Sequence, residues 1–232
     1  MPAPPRLARV EKRRLLSARV SELTLSVPGI PRFQWAAGQY VIVLAGSNNS
    51  ERLAYSIASA DQDRDPPELT LAVGDGSGAE LLMHSGPGSE LMLEGPFGAF
   101  TLGTAPAGLF IGVGTGTAPL RALVQAALMR GGGGPFVLLS GSRFEGEVLW
   151  RREFEELSVS DSRFRFEPTL TRPDPSWRGR TGRVQAHLAE IVGDFRQAFE
   201  VYVCGKTDMV ESTKSRLFEL GVSESQIESE SY

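Results

Sequence analysis

After Pro106, short apolar runs alternate with longer amphipathic stretches through the rest of the 232-residue chain. The runs of strand length are 109–113, 136–140, 163–169, 201–204 and 226–230, and those of helix length are 119–130, 147–157, 184–192 and 208–220. Strands that are joined in turn by helices are typical of a parallel sheet with crossover helices. The sequence therefore predicts an α/β half that contains a parallel sheet.

The first hundred residues have a different pattern of apolar and turn-forming residues. Short β-like runs, predicted at 16–27, 40–44, 55–58, 68–73 and 90–93, are separated by turn-rich stretches, and only 79–84 has a helical pattern. Repeated short strands between Gly- and Pro-rich turns indicate an antiparallel barrel. We therefore predict two domains, a β-barrel at 1–104 and an α/β domain at 105–232.

Composition excludes several classes of function. The net charge of −4 and the pI near 5.4 argue against general nucleic-acid binding. No run approaches the ~18 apolar residues of a membrane span, and the first six residues lack the apolar stretch of a signal peptide, so we expect a cytoplasmic protein. A single cysteine excludes an internal disulfide and a Cys-ligated iron–sulfur cluster. The two histidines show no metal-binding spacing, and no metal site is predicted.

A glycine-rich stretch follows the first apolar run of the α/β half and opens a helix. It contains Gly114, Thr115, Gly116, Thr117 and Pro119, with the proline where the first turn of a helix tolerates it. Glycines let the backbone approach an anion at a helix N-terminus, where free N–H groups favour a pyrophosphate. The stretch departs from the usual dinucleotide fingerprint, which needs a small residue where Thr117 stands. Plain turn chemistry is the alternative interpretation.

Together with other motifs in the same order, this loop gives the chain a resemblance to the ferredoxin–NADP reductase family of flavoproteins. The motifs are Arg52-Leu53-Ala54-Tyr55-Ser56, Gly95-Pro96-Phe97-Gly98, Gly114 to Pro119, Thr171-Arg172, Gly182-Arg183, Val203-Cys204-Gly205 and Glu230-Ser231-Tyr232. The resemblance covers nearly the whole chain. It implies a flavin-binding Greek-key barrel followed by a Rossmann-like NAD(P)-binding domain, with hydride transfer between them.

The first motif is expected to bind the flavin. By resemblance, Arg52 neutralises a flavin phosphate, the ring of Tyr55 lies against the isoalloxazine next to Ala54, and Ser56 is the hydrogen-bond partner of the reactive N5 edge. Outside this context, an edge-strand tyrosine beside a surface arginine would explain the same residues.

A second phosphate site is predicted just before the short helix of the barrel half. Backbone N–H groups of Gly76, Ser77, Gly78 and Ala79 and the Ser77 hydroxyl can hold an anion there. This favours FAD over FMN as the cofactor. The alternative is that Ser77 only caps the helix.

Three residues near the end of the sequence are expected to complete the hydride-transfer site with Ser56. Cys204 ends a predicted strand, where open α/β sheets bind ligands, and Gly205 lets a ligand approach. The resemblance places the Cys204 thiol beside the nicotinamide and Glu230 in the same site. Tyr232 is expected to stack on the flavin face that the nicotinamide must reach. A core cysteine and a solvent-exposed tail are the alternatives.

The choice between NADPH and NADH depends on arginines that could bind a 2′-phosphate. Arg143, Arg172 (after Thr171) and Arg183 all follow predicted strands or open helices, and Arg180 is a further candidate. No aspartate follows the second strand of the α/β half to accept ribose hydroxyls. We therefore predict NADPH, with NADH possible.

Together with the resemblance, these observations predict a monomeric or weakly associating FAD-dependent NAD(P)H oxidoreductase that exchanges single electrons with an acidic carrier of the ferredoxin or flavodoxin type. Six basic residues and one acidic residue between Arg6 and Arg19 (6 − 1 = +5) could steer such a carrier, although a solvated first strand explains them equally well. The alternatives are an NADH-dependent reductase component of a multicomponent oxygenase and a non-catalytic flavin- or nucleotide-binding regulator.

Overall fold

The computed structural model describes residues 4–45, 51–76, 78–131 and 133–232, which form two six-stranded sheets. The first half contains β1 (Arg6–Ser17), β2 (Val20–Ser26), β3 (Tyr40–Ala45), β4 (Glu51–Ser56), β5 (Glu68–Gly74), α1 (Glu80–His84) and β6 (Glu90–Phe97). The second half contains β7 (Ala107–Val113), α2 (Thr117–Met129), β8 (Phe136–Ser142), α3 (Arg151–Ser160), β9 (Phe164–Leu170), β10 (Arg180–Thr181), α4 (Leu188–Asp194), β11 (Phe199–Gly205), α5 (Thr207–Glu219) and β12 (Ile227–Ser231).

The first sheet is antiparallel and curves back on itself. Its order is β4-β3-β6-β1-β2-β5, and a bridge between Ile57 and Leu71 links the end of β4 to β5. Side chains on the inner face, such as Leu25, Val43 and Leu93, are fully buried. Each such side chain contributes ~1.5–3 kcal/mol on burial, so the inner face holds the sheet closed. The predicted barrel is confirmed.

One predicted strand is wrong. The run 16–27 is not a single strand, because the chain reverses after Ser17 and the hairpin joins β1 to β2. The sequence pattern hides the turn, since it contains no glycine or proline and Leu15 remains 64% exposed on β1. The motif Gly95-Pro96-Phe97-Gly98 lies at the end of a strand, since its first three residues belong to β6.

The second sheet is parallel, as predicted, with the order β10-β9-β8-β7-β11-β12. The chain moves outward from β7 through β8 and β9 and then returns to the other side of β7 with β11. Both faces are covered, so Leu109 and Ile111 pack under α4 and α5 while Phe110 packs towards α2. The strand order reverses at β7, and open sheets bind ligands at the carboxyl ends of strands at such a point. Val113 and Cys204 mark those ends.

A polar clamp fixes the connecting segment 98–106 to the parallel-sheet half. Tyr202 donates a hydrogen bond to Glu200 Oε2 at 2.5 Å and accepts one from the Gly103 N–H at 2.8 Å. Arg130 donates to the carbonyls of Gly103 and Ala105 at 2.6 and 3.1 Å. Burial raises the pKa of Tyr202, so its phenol stays protonated as a donor. The predicted domain boundary at 104/105 falls inside this segment, and we propose it as the point where the two halves meet.

None of the helices in the described part of the chain is long and apolar enough to cross a membrane.

Candidate functional site

A cavity of about 690 Å³ lies where the two halves meet, within the ~300–1,000 Å³ range of ligand pockets. Its walls come from the barrel, from the start of α2 and from β12. The lining residues are Tyr40, Ile42, Arg52, Leu53, Ala54, Tyr55, Ser56, Ala72, Gly74, Gly76, Ala79, Thr115, Ala118, Glu230, Ser231 and Tyr232. Residues predicted from motifs far apart in the sequence therefore share one cavity.

Strand β4 provides the predicted flavin motif. Every residue from Arg52 to Ser56 lines the cavity, because β4 is the edge strand of the sheet order and ends at the domain junction. Tyr55 also packs against the barrel core, and burial raises its pKa to about 12. Arg52 forms an ion pair with Glu94, with Nη1 2.9 Å from Oε1. Its side chain remains 55% exposed and within reach of an anion in the cavity.

The register of the parallel sheet places Glu230 beside Cys204. Cys204 on β11 pairs with Gly112 of β7 on one side and with Glu230 of β12 on the other. Across the domain junction, Ser56 Oγ lies 3.5 Å from Glu230 Oε2, at the outer limit of a hydrogen bond. Burial raises the pKa of Glu230, despite the Ser56 contact. The structure thus brings Ser56, Glu230 and Cys204 to one region, as the sequence predicts.

Cys204 is only 1% exposed and does not line the cavity surface. Burial and the nearby Glu230 carboxylate raise the pKa of its thiol, so it stays protonated at neutral pH. A neutral buried thiol is a poor nucleophile, which argues against covalent chemistry at Cys204, and its predicted place beside the nicotinamide stays a prediction.

The glycine-rich loop approaches β11 more closely than any side chain would allow. A Cβ atom on Gly116 would lie 2.3 Å from the Cys204 carbonyl oxygen, and Gly114 has a φ of +58°. Thr115 and Ala118 line the cavity, whereas Thr117 is buried with its hydroxyl 3.4 Å from Ser140. Loop backbone, more than the Thr117 side chain, is therefore available to a ligand. Pro119 is buried in the first turn of α2.

Tyr232 is held against this loop rather than left free. Its backbone N–H donates to the Gly205 carbonyl at 3.2 Å, and its hydroxyl lies 2.9 Å from Thr115 Oγ1 and 3.4 Å from the Val113 carbonyl. Burial raises the pKa of its phenol. The ring lines the cavity that also contains Tyr55, so an exposed tail without contacts does not describe this residue.

The four candidate arginines differ in their partners. Arg143 is paired with Glu147 through contacts of 3.0 and 2.5 Å, and Arg180 is held by Glu167 and Glu190. The side chains of Arg172 and Arg183 are exposed and have no hydrogen-bond or ion-pair partner among the described residues. These two arginines are the ones available to a 2′-phosphate.

Backbone hydrogen bonds place Arg143, Thr171 and Arg172 together at one edge of the sheet. Thr171 N–H donates to the Ser142 carbonyl at 3.0 Å, and Arg172 N–H donates to the Arg143 carbonyl at 2.8 Å. The loops after β8 and β9 are therefore joined at the carboxyl edge, next to the turn that carries Arg183 after β10. This is the edge where the glycine-rich loop also lies.

The second predicted phosphate site is described only in part. Gly76 and Ala79 line the cavity, and Ala79 occupies the N-cap position of α1 without a side-chain cap. Gly78 has a φ of +77°, and a Cβ atom there would lie 2.8 Å from a Glu51 carboxylate oxygen. Ser77 lies outside the described residues, so its predicted role stays a prediction.

Sequence reasoning missed several lining residues, notably Tyr40, Ile42, Ala72 and Gly74 on strands β3 and β5. Small residues at alternate positions of a strand are the signal that could have found Ala72 and Gly74, since a glycine inside a strand often marks the close approach of a ligand or a neighbouring segment. Gly74 does face such a neighbour: a Cβ atom on it would lie 3.6 Å from the Thr115 methyl group.

The raised pKa of Glu230 has a consequence for stability. Between the ordinary and the raised pKa, the folded state holds a proton that the unfolded state has released, so this residue lowers stability as pH rises through that window. Glu230→Gln should therefore become more stable relative to wild type as pH increases. Urea unfolding at several pH values checks this, with Glu228→Gln, an exposed neighbour on β12, as the control. Parallel stability curves for Glu230→Gln and wild type would contradict the prediction.

With the geometry established, comparison with known proteins identifies the family. The family model for the oxidoreductase NAD-binding domain matches residues 110–215. A protein named ferredoxin–NADP reductase B from Sorangium cellulosum (strain So ce56) is 37% identical over 242 residues, covering 99% of this chain and 98% of that protein. The chain belongs to the ferredoxin–NADP reductase family. It is therefore an oxidoreductase, and the predicted family and fold class are confirmed.

Two further comparisons show the breadth of the ferredoxin–NADP reductase family. The ferredoxin–NAD(+) reductase component of an alkene monooxygenase system from Xanthobacter autotrophicus (strain ATCC BAA-1158 / Py2) is 31% identical over 221 residues, covering 92% of this chain and 66% of that protein. The structure of a Neisseria gonorrhoeae ferredoxin NADP+ reductase with bound FAD and NADP has a TM-score of 0.82 and 20% identity, covering 99% of each chain. The latter similarity supports the fold of both halves.

Proposed function

We propose that this protein is an FAD-dependent NADPH oxidoreductase that exchanges electrons with a separate carrier protein. The observation that carries the proposal is the cavity at the domain junction, where Ser56 of the barrel lies 3.5 Å from Glu230 of the parallel-sheet half. A redox site between two cofactors requires groups from both domains at one point. Family membership supplies the reaction class.

The cavity fits a flavin in the types of residue that it presents. The ring of Tyr55 offers a flat apolar surface, Arg52 offers a cation for a phosphate, and the small residues Ala72 and Gly74 leave open space beside them. Arg52 and Tyr55 would hold FAD, which when bound would supply the chemistry that links the two-electron donor NADPH to a one-electron carrier. The protein's own part is to position the rings and to adjust charge around them.

The Ser56 hydroxyl and the Glu230 carboxyl group are proposed to hold a proton at the edge of the cavity where the two halves meet. Because burial raises the pKa of Glu230, a larger fraction of this carboxyl group is protonated at a given pH than of an ordinary carboxyl group. The Ser56 hydroxyl, at the end of β4, lies 3.5 Å from that carboxyl group, and it can both accept and donate a hydrogen bond. Cys204, neutral and buried, would support the nicotinamide side by packing with Gly205.

The proposed nucleotide site follows the carboxyl edge of the parallel sheet. The backbone of Gly114 to Gly116 would face the pyrophosphate at the start of α2, and Arg172 and Arg183 would bind the 2′-phosphate. Their lack of carboxylate partners in the described part of the chain supports NADPH over NADH. Arg143 and Thr171 are proposed as flanking residues of this site.

A carrier protein of acidic surface is the proposed partner. Arg9, Lys12 and Arg13 on β1 are exposed and have no ion-pair partner among the residues that the structure describes, whereas Arg14 and Arg19 are paired with Glu22 and Asp75. Unpaired cations speed the encounter with an acidic protein at low salt. A ferredoxin or flavodoxin type of carrier fits this charge. Monomeric state and cytoplasmic location stay predictions.

The first test is the identity of the bound cofactor. Purified protein is expected to be yellow and to release noncovalent FAD, because Arg52 and Tyr55 together with the stretch before α1 supply a cation, a stacking ring and a second phosphate site. Acid extraction followed by chromatography distinguishes FAD from FMN. Arg52→Ala should lower flavin content, while Arg152→Ala, a fully surface arginine on α3, should not. Recovery of FMN alone would overturn the proposal.

A second candidate function is the NADH-dependent reductase component of an oxygenase, which the 31% identity to the alkene monooxygenase component favours. Anaerobic mixing of the oxidised protein with NADPH or with NADH separates the two. Faster bleaching of the yellow colour by NADPH supports the carrier reductase, and faster bleaching by NADH supports the oxygenase component.

A further inference from the structure

A second polar cluster joins the two halves, separate from the cavity. Arg14 donates to Glu22 at 2.6 and 3.0 Å, and Arg121 donates to Glu153 at 2.7 and 3.0 Å. The two pairs meet because Arg14 Nη2 lies 3.7 Å from Glu153, and because Trp150 Nε1 donates to Glu22. Arg14 and Glu22 come from the barrel strands β1 and β2, whereas Arg121 lies on α2, Glu153 on α3 and Trp150 directly before α3. We call these five residues the bridge cluster.

Trp150 has an unusual backbone conformation. Its φ is +51°, in the left-handed region that bulky side chains rarely adopt, and its side chain is only 4% exposed at the N-terminus of α3. Glu22 accepts from the indole edge, and the guanidinium of Arg121 lies 5.2 Å from the ring centroid. Uncommon backbone conformations persist where the surroundings hold them, and they concentrate at functional sites. Trp150 is thus held on two sides by charged residues of different domains.

The bridge cluster is connected to the strand that carries Ser56. Arg121 Nη1 donates to the carbonyl of Ala58 at 2.5 Å, two residues after Ser56. The next turn of α2 repeats the contact, since Gln125 Oε1 accepts from the Ala60 N–H at 3.0 Å. Arg121 lies one helical turn after Thr117, close to the glycine-rich loop. One side chain therefore ties the end of the flavin strand to the helix that the nucleotide loop opens.

We propose that Arg121, fixed by Glu153 and Trp150, is a positioning residue that sets the distance between the Ser56 side and the nucleotide side of the cavity. This inference rests on the proposed function, because that distance matters only if hydride crosses the junction. Arg121 touches neither the cavity surface nor the reacting groups, so it acts through Ala58 and α2. A shift of about 1 Å between reacting groups can slow a reaction by up to ~100-fold.

The test uses Arg121→Lys, which keeps the charge and loses the paired contacts to Glu153 and Ala58 together. We expect the hydride-transfer rate constant, from stopped-flow bleaching by NADPH, to fall about tenfold, with a larger deuterium isotope effect. The dissociation constant of NADPH and the flavin content should change less than about twofold, because the binding residues are untouched. Arg152→Lys on α3 is the matched control, since its ion pair with Glu156 lies on the surface.

A second readout does not depend on turnover. Hydrogen exchange of the amides in 57–61 should accelerate in Arg121→Lys and remain unchanged in Arg152→Lys, because the first variant alone releases this segment. If Arg121→Lys does not fold, Glu153→Gln, which leaves the Ala58 contact in place, should give the same changes at smaller size. An unchanged hydride-transfer rate, or a loss explained entirely by weaker NADPH or flavin binding, overturns the inference. If wild type contains no flavin, the proposed function fails, while the exchange data still decide whether Arg121 couples the halves.

Discussion

The double variant Arg172→Ala, Arg183→Ala should bind NADPH at least about 100-fold more weakly than wild type, since each charge-assisted hydrogen bond contributes ~1.5–3 kcal/mol. NADH, which lacks the 2′-phosphate, should lose less than about threefold. The effect should appear as a raised KM with kcat nearly unchanged, because the contact is made equally in the ground state and the transition state. Steady-state kinetics with both nucleotides measure it.

Controls for this prediction come from neighbouring arginines. Arg178 lies in the loop after β9, as Arg172 does, but its side chain donates to the carbonyl of Pro175. Arg178→Ala should therefore leave the binding of both nucleotides unchanged. Arg143→Ala should have a smaller effect than either single variant, because Glu147 already occupies its guanidinium. Equal loss of affinity for NADPH and NADH, or a wild-type protein without preference for NADPH, would show that Arg172 and Arg183 do not bind the 2′-phosphate.

Tyr232→Ser should tighten nicotinamide nucleotide binding about tenfold or more. If the closed ring is favoured by ~1.4–2.7 kcal/mol, the state that accepts the nicotinamide is only ~1–10% populated, and the apparent affinity falls by that fraction. Removing the ring removes this cost. A stronger charge-transfer band, slower product release and weaker discrimination against NADH should accompany the tighter binding.

The hydroxyl contacts of Tyr232 allow a graded version of the experiment. Tyr232→Phe keeps the ring but loses the contacts to Thr115 and Val113, which contribute ~0.5–1.5 kcal/mol each when well formed. Its nucleotide affinity should therefore fall between those of wild type and Tyr232→Ser. Unchanged binding together with unchanged flavin fluorescence in Tyr232→Ser would mean that the ring does not compete for the flavin face.

The parallel-sheet half could be predicted from sequence because its strands are buried on both faces. The runs at 109–113 and 136–140 are continuous apolar segments bounded by turns, and the observed strands extend them by only two residues each. In β1, by contrast, only Ala8 and Val10 are buried, so its charged sequence does not show a strand. A strand can therefore be predicted when most of its own residues are apolar and buried, and is missed when most of them are charged and exposed.

The same contrast separates residues of the candidate site, which could be predicted, from residues of the bridge cluster, which could not. Tyr55, Ser56 and Glu230 lie in short sequence motifs with recognisable residue types, so the sequence predicts them, and all three line the cavity. The contact between Glu22 and Trp150 joins positions 128 residues apart, and neither residue has a local motif. Such a contact depends on how two domains pack, which no window of sequence contains.

The clamp of Glu200, Tyr202 and Arg130 on the connecting segment limits how the proposed reductase can open. Because Gly103 and Ala105 are bound to the parallel-sheet half, any hinge between the halves would be confined to the residues between β6 and Gly103. With so short a hinge, access to the proposed flavin face would depend on rotation of the Tyr232 side chain. The proposed gate is a single phenol ring, so nucleotides would exchange by a side-chain motion and not by movement of a whole domain.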